Sequence, residues 1–148
     1  MTRSERLDPL IRVAQQRQDA VAKQLAEREK TVNEQQQRLD LLKDYADSFT
    51  LSPAGSTLSP AMLANHVAFR GKLDVAVKQQ TQAVDTSVQH REIERTRLML
   101  ASRNSKVLEQ LAASYRADEL YEAGRREQRE LDDIGARRVR AAQEGGTP

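Results

Sequence analysis

Apolar residues in the N-terminal third of the chain recur at alternating spacings of three and four residues. Two rows of positions, each with a seven-residue period, describe this pattern. Nine of their twelve positions are apolar, whereas the overall hydrophobic share of 38% predicts about five. A sustained excess with this period is typical of the seam of a coiled coil. The rows consist of Ile11, Gln18, Leu25, Val32, Leu39 and Ala46, and of Ala14, Val21, Arg28, Gln35, Leu42 and Phe49.

Capping residues and helix breakers predict where this first helix begins and ends. Asp8 is a favourable N-cap, and Pro9 suits the first helical position, where its missing N–H costs nothing. Neither Gly nor Pro follows until residues 52–60, which contain two Pro, one Gly and three Ser. Such a composition breaks a helix. We therefore predict a first helix over 8–51 and a turn over 52–59.

A second, longer helix should follow the turn. Ser59 is a suitable cap for it, with Pro60 at the first position, and the helix is predicted to span 60–140. Its apolar row drifts after Leu98, which we interpret as a stutter in the heptad pattern. Residues 141–148 are predicted to be a disordered tail. The row consists of Leu63, Val67, Val77, Val84, Val88 and Leu98, and continues after the drift with Leu100, Val107 and Leu111.

A short break between two long helices makes them antiparallel neighbours. The predicted fold is therefore all-α: a single coiled-coil domain over 1–148, in which two long helices form an antiparallel hairpin. Folding about Gly55 pairs Pro9 with a residue near Ala101. The longer second helix should then overhang over 102–140 with an uncovered apolar stripe, and such a stripe favours binding to a partner.

Composition and charge exclude several classes of protein. The chain has no Cys, which excludes disulfides, thiolate metal sites and a Cys nucleophile. It contains no run of about 18 apolar residues and no apolar signal-peptide core, so we expect a protein inside the cell that does not insert into the membrane. The net charge of +2 results from 24 basic and 22 acidic residues, a balance that argues against a dedicated nucleic-acid binder.

Candidate residues for bond chemistry are sparse. His66 and His90 lie 24 residues apart on one helix and cannot share a site within the chain. The stretch Arg70-Gly71-Lys72 lacks the earlier Gly of a phosphate-binding loop. Carboxylates are abundant, but a pair of helices offers no desolvated pocket for a general acid or base. We predict no catalytic, cofactor-binding or metal-binding residue and no enzymatic activity, and an essential His would contradict this prediction.

Two groups of residues are candidates for binding other proteins. The hairpin should bring Tyr45 and Phe69 together near the turn, beside Phe49, which also suits the seam. The second group is an arginine-rich stretch, interleaved with acidic residues, near the end of the second helix. Three interpretations of that stretch stay open: a solvated face with i,i+4 ion pairs, an electropositive surface for an acidic protein, and a nucleic-acid contact.

The opening stretch of the chain reads Ser4-Glu5-Arg6-Leu7-Asp8-Pro9-Leu10-Ile11-Arg12-Val13-Ala14. It resembles the start of the FliJ family, which are small coiled-coil proteins of the bacterial flagellar type III export apparatus. The chain length, the two unequal helices, the position of the break and the basic C-terminal end are also similar, over nearly the whole chain. The resemblance implies a surface cluster beside the turn, here called the predicted gate patch, at Leu42, Tyr45, Phe49, Phe69, Leu73 and Ala76.

The resemblance also implies partners and a mechanism. FliJ-family proteins resemble the central stalk of rotary ATPases: their paired termini enter a hexameric export ATPase, and the end near the turn contacts the cytoplasmic domain of the export gate's large membrane protein. Escort of export chaperones and a peripheral position at the cytoplasmic side of the inner membrane are further implications. The residues expected to bind the ATPase are Leu111, Tyr115, Arg125, Arg126, Arg129, Arg137 and Arg138.

Two alternative functions stay open at this point. The stalk protein of a virulence type III secretion system would show nearly the same pattern of residues. A basic coiled-coil protein that binds nucleic acid would use the arginine-rich stretch, although no stacking aromatic residues accompany those arginines. Elution from heparin at low salt would count against this second alternative.

Overall fold

A computed structural model describes residues 1–49 and 59–146 of the chain. Two α-helices account for nearly all of these residues. Helix α1 spans Arg3–Phe49 and helix α2 spans Pro60–Glu144, with lengths of 47 and 85 residues. No strand occurs in the described residues. The all-α prediction, with a second helix longer than the first, is confirmed.

Three features of the prediction lie outside the described residues. These are the end of the first helix at Leu51, the turn over 52–58 around Gly55, and the last two residues of the tail, 147–148.

The start of α1 lies earlier than the predicted cap at Asp8. Glu5 N–H donates to Thr2 Oγ1 at 3.3 Å, and Thr2 N–H donates to Glu5 Oε2 at 2.9 Å. These reciprocal bonds form a capping box, which satisfies backbone donors that have no partner in the first turn. The helix therefore begins at Arg3 without Asp8 as its cap. Pro9 lies inside α1, where it cannot donate to the carbonyl of Glu5.

The start of α2 agrees with the sequence prediction. Met62 N–H donates to Ser59 Oγ at 3.2 Å, and Leu63 N–H donates to the Ser59 carbonyl at 2.9 Å. Ser59 is therefore the N-cap of α2, and Pro60 occupies the first helical position. At its other end α2 continues past the predicted limit to Glu144, where a hydrogen bond from Gly145 N–H to the Ala141 carbonyl closes the last turn.

The covered positions of α1 follow the predicted heptad rows. Eleven of the twelve predicted positions are buried or half-buried, and only Arg28 is exposed. The same two rows extend toward the start of the helix to Ser4 and Leu7. The seam prediction for α1 is confirmed, because its seam positions are mostly apolar and hydrophobicity alone identifies them.

The covered positions of α2 form an uninterrupted heptad pattern from His66 to Glu119, so the predicted stutter is wrong. Four residues of the predicted row are more than half exposed: Leu63, Val67, Leu100 and Val107. The physical reason is that many seam positions of α2 are polar, whereas several apolar side chains face outward. The seam consists of His66, Arg70, Leu73, Val77, Gln80, Val84, Ser87, Arg91, Glu94, Leu98, Ala101, Ser105, Leu108, Ala112, Tyr115 and Glu119.

Contacts divide the chain into two units, of which residues 17–101 form the first. Here α1 and α2 are antiparallel, since Arg70 Nη1 donates to the Ala46 carbonyl at 3.0 Å while Gln80 Nε2 donates to Gln35 Oε1 at 2.7 Å. These polar seam contacts specify the register of the two helices. The apolar core of the unit contributes roughly 1.5–3 kcal/mol for each large side chain that it buries. It consists of Val32, Leu39, Ala46, Leu73 and Val84.

The second unit consists of residues 1–16 and 102–148. Arg116 Nη2 donates to Asp8 Oδ1 at 3.2 Å, so the predicted pairing of residue 9 with Ala101 is wrong. The register of this unit places residue 9 opposite a residue near Tyr115 instead. The second helix does overhang, but residues 102–119 are paired with α1, and the uncovered part begins at Leu120. Every described residue from Leu120 onward is exposed.

Neither α1 nor α2, as far as each is described, contains a segment long and apolar enough to cross a bilayer.

Candidate functional site

Four rings meet in the 17–101 unit, where the last turn of α1 lies beside the first turns of α2. The Phe49 ring stacks on the His66 ring, with centroids 4.6 Å apart and planes within 11°. The centroids of Phe49 and Phe69 are 4.7 Å apart. Tyr45 lies 6.3 Å from both Phe rings and meets Phe69 edge-on. We call Tyr45, Phe49, His66 and Phe69 the aromatic cluster.

Helical spacing explains why these rings meet. Tyr45 and Phe49 are four residues apart on α1, and His66 and Phe69 are three apart on α2, so each pair lies on one helix face. Phe49 and His66 occupy seam positions and pack between the helices. Tyr45 and Phe69 directly precede seam positions and remain 52% and 39% exposed. The cluster therefore has a packed base and two accessible rings, and aromatic pairs of this kind contribute about 0.5–1.5 kcal/mol each.

The structure brings together only part of the predicted gate patch. Tyr45, Phe49 and Phe69 are in contact, as the predicted hairpin led us to expect. Leu73 is only 7% exposed because it packs in the seam, so it offers little surface to a partner. Leu42 and Ala76 are half-buried. The accessible surface of the patch is therefore centred on Tyr45 and Phe69.

Sequence reasoning missed His66, to which it assigned no role in binding. His66 helps to line an open depression of about 400 Å³. Its heptad position, four residues before Arg70, was a usable signal, but the apolar row that we chose for α2 passed through Leu63 and Val67 instead. The depression is lined by Tyr45, Phe49, Met62, Asn65, His66 and Phe69.

The depression is lined mostly by aromatic side chains. No carboxylate lines it. The neighbouring Arg70 already donates to the Ala46 carbonyl and pairs with Asp74 at 3.4 Å. Among the described residues, no group of three or more His, Asp or Glu could hold a metal ion. Exposed aromatic rings over a packed base are typical of residues that contribute most of the binding energy at protein interfaces.

The residues expected to bind the ATPase lie in the unit formed by 1–16 and 102–148. Leu111 is 38% exposed, and Tyr115 is half-buried at a seam position. The guanidinium of Arg3 lies 5.9 Å from the centroid of the Tyr115 ring, and that of Arg125 lies 5.9 Å from the centroid of the Tyr121 ring. Both are cation–π geometries. Tyr115 is therefore engaged with α1 rather than free for a partner.

The arginines of the uncovered segment project into solvent. Arg125, Arg126, Arg129, Arg137 and Arg138 are all exposed. Within residues 1–49 and 59–146, none of them forms an ion pair. In the described part of the chain none of these five arginines therefore makes the i,i+4 ion pair that one interpretation expected, and Arg125 lies over the Tyr121 ring.

A contact between the start of α1 and α2 was also missed. Ser4 donates to Glu119 twice, from its N–H to Oε1 at 3.0 Å and from its hydroxyl to Oε2 at 2.7 Å. Hydrogen bonds from the Ser4 hydroxyl and then from its N–H hold the pKa of Glu119 below its ordinary value. Likewise, the bond from the Thr2 N–H lowers the pKa of Glu5. The seam position of Ser4, one heptad before Ile11, was the available signal.

A family model described as the flagellar FliJ protein matches residues 3–144, which include both α1 and α2. The chain belongs to the FliJ family. The suspected resemblance is confirmed, and it now rests on nearly the whole chain rather than on the opening stretch. No curated protein and no solved structure matches the chain significantly.

Membership of the FliJ family makes this chain a component of the flagellar protein export apparatus. The two-helix fold agrees with a structural role in that apparatus.

Proposed function

We propose that this FliJ-family chain is a non-enzymatic, stalk-like component that binds the hexameric export ATPase and couples it to the membrane export gate. The observation that carries the proposal is the uncovered segment of α2, in which every described residue from Leu120 is exposed. Five of its arginines form no ion pair with another described residue. A helix with such a surface is suited to insertion into a complementary ring, toward which its cations would steer it.

Within this proposal the aromatic cluster binds the cytoplasmic domain of the gate's membrane protein. Its support is the exposure of Tyr45 and Phe69 over a packed base. The protein would then sit peripherally at the cytoplasmic side of the inner membrane, held there by its partners. Escort of export chaperones stays a prediction from the family alone.

Pull-down by the cognate export ATPase tests the first contact. We expect a truncation after Glu122 to abolish binding, because it removes the arginines but keeps the Ser4–Glu119 contact. The double substitution Arg126→Glu/Arg129→Glu should weaken binding by about tenfold or more. Lys72→Glu/Lys78→Glu, which makes the same charge change on exposed residues of the other unit, is the matched control. Undiminished binding by the truncated chain would refute the stalk model.

Binding to the purified cytoplasmic domain of the gate protein tests the second contact. Tyr45→Ala/Phe69→Ala should reduce affinity about tenfold or more, as expected when two aromatic hot-spot residues are truncated. Val75→Ala removes an apolar side chain of similar exposure elsewhere on α2 and should have no effect. Equal losses with both variants would show that the aromatic cluster has no special role.

A further inference from the structure

The unit formed by 1–16 and 102–148 has two lateral faces. Residues directly after and directly before a seam position are rotated by about 100° in opposite senses, so they lie on opposite lateral faces. Residues that follow the seam form polar pairs between the helices. Arg116 donates to Asp8 at 3.2 Å, and Gln15 donates to Glu109 at 3.3 Å. Since these pairs occupy one lateral face, the residues that precede the seam share the other.

Four exposed apolar residues precede seam positions and therefore lie on this second face. Leu10 and Val13 on α1 are 53% and 44% exposed, and Val107 and Leu111 on α2 are 62% and 38% exposed. The pairs Asp8–Arg116 and Gln15–Glu109 set the register of this unit. It places Leu111 opposite Val13, with Leu10 and Val107 about one helical turn to either side of that level. We call Leu10, Val13, Val107 and Leu111 the apolar flank.

The charge beside the apolar flank is positive on its α1 edge. Arg3 and Arg6 also precede seam positions and continue the row of Leu10 and Val13 toward the start of α1. Arg3 lies over the Tyr115 ring. In the described part of the chain the Arg6 guanidinium forms no ion pair or side-chain hydrogen bond. Asp118 is the acidic residue on the α2 edge, so a partner's carboxylates are favoured along the α1 edge.

We propose that the apolar flank binds one amphipathic α-helix of another protein, with an apolar stripe against the flank and carboxylates facing Arg3 and Arg6. The spacing of three between the flank residues of α1, and of four between those of α2, matches the spacing at which a helix presents side chains on one face. A third helix added here continues the knobs-into-holes packing of the pair. The proposal goes beyond the stalk function, which is assigned to the aromatic cluster and to the arginines from Arg125 onward, and Leu111 is the one flank residue also expected at the ATPase.

Fluorescence anisotropy with two designed peptides tests the proposal on the full chain. Both peptides are about four heptads long with the same Leu and Ile stripe, and their flanking residues are Glu in one and Lys in the other. We expect the Glu peptide to bind about tenfold or more tightly than the Lys peptide. Arg6→Glu should reverse this preference. The variant Leu10→Ser/Val13→Ser/Val107→Ser should weaken binding of the Glu peptide at least about tenfold.

The controls separate this site from the other surfaces and from misfolding. Leu111 is left intact because it also belongs to the residues expected at the ATPase. Val75→Ser, at an exposed position of the other unit, should leave peptide affinity unchanged. The triple variant should keep its helical circular dichroism and its ATPase binding. Equal binding of both peptides, or binding insensitive to the triple variant, would overturn the proposal. Sedimentation showing a dimer that the triple variant abolishes would also overturn it, because the occupant would then be a second copy.

Discussion

Residues 102–119 and 120–146 are consecutive parts of one unit, yet only the first part is covered. In 102–119 every seam position is buried or half-buried, and Ser105 and Ala112 are only 2% and 1% exposed. In 120–146 every described residue is exposed. Both segments belong to the same helix, which continues to Glu144, so the helix forms whether or not α1 packs against it.

α1 does not reach the second segment, because it begins at Arg3 and its Ser4 already contacts Glu119. The two segments also differ in which residues continue the seam row. Apolar or small residues occupy the row at Ser105, Leu108 and Ala112. Beyond Glu119 the row continues mostly with charged side chains, which bury poorly against another helix. The large apolar side chains of this segment lie off that row. The seam row of the uncovered segment is therefore poorly suited to pack against a helix as residues 102–119 pack against α1. Its charged row consists of Glu122, Arg126, Arg129, Asp133 and Arg140.

The largest expected effect comes from placing a carboxylate in each segment. Ala112→Asp should lower the free energy of unfolding by about 3 kcal/mol, because a buried carboxylate loses water without gaining a partner. Ala136→Asp makes the same change in the uncovered segment and should alter the free energy of unfolding by less than about 0.5 kcal/mol. Urea unfolding followed by circular dichroism measures both. Similar losses in the two variants would mean that 120–146 is also covered in solution.

Hydrogen exchange compares the two segments without mutation. We expect backbone amides of 102–119 to exchange at least about 100-fold more slowly than those of 123–144 after correction for sequence, because only the covered part needs cooperative opening. Mass spectrometry of peptic fragments resolves the two. Adding the cognate ATPase should then slow exchange selectively in 123–144. Equal protection of both segments before the ATPase is added would contradict the difference in cover between them.

Substituting a glycine of the uncovered segment should change the stability of that segment alone, by a smaller amount. Gly135→Ala should stabilise the local helix by about 1 kcal/mol through propensity alone. A Cβ at this position meets no atom within 4 Å, so no clash offsets the gain. Exchange should slow in 123–144, while the urea midpoint of the covered part stays unchanged. Ala136→Gly, the reverse change at the next residue, should speed exchange instead. A shift of the urea midpoint in either variant would show that the two segments unfold together, against this expectation.

The smallest effect concerns the Ser4–Glu119 contact at the edge of the covered segment. Because Ser4 lowers the pKa of Glu119, this contact stabilises the fold above the carboxyl's unfolded pKa and is lost as the pH falls through its lowered folded pKa. Thermal midpoints between neutral and acidic pH should therefore fall less in Glu119→Gln than in the wild type. Ser4→Ala should flatten the pH profile in the same way. Parallel curves for all three proteins would exclude the contact in solution.

Apolar periodicity was sufficient to predict the seam of α1 but not that of α2. In α1 the seam row is mostly apolar, so residues such as Val32 and Leu39 identify it directly. In α2 the row passes through Gln80, Arg91 and Glu94, while outward positions hold apolar residues. Hydrophobicity therefore selected the wrong face, and the predicted stutter was the consequence.

Only part of the candidate site was predicted, because some of its residues depend on contacts between the two helices. Tyr45, Phe49 and Phe69 followed from hairpin geometry, and the arginines of the uncovered segment followed from composition. His66 did not, because its role depends on stacking against Phe49 across the helix pair. The pairing of Ser4 with Glu119 likewise requires the register between two segments more than a hundred residues apart in the chain.

The sequence by itself determined the all-α class, the two unequal helices, the cap at Ser59 and the family. These properties depend on local propensity, capping and heptad period, all of which are encoded within short stretches. Only the tertiary structure decided the register, the extent of the uncovered segment and which exposed apolar residues share a face. Register is a relation between two helices, and it depends on polar seam contacts such as those of Arg70 and Gln80, which only the folded chain brings together.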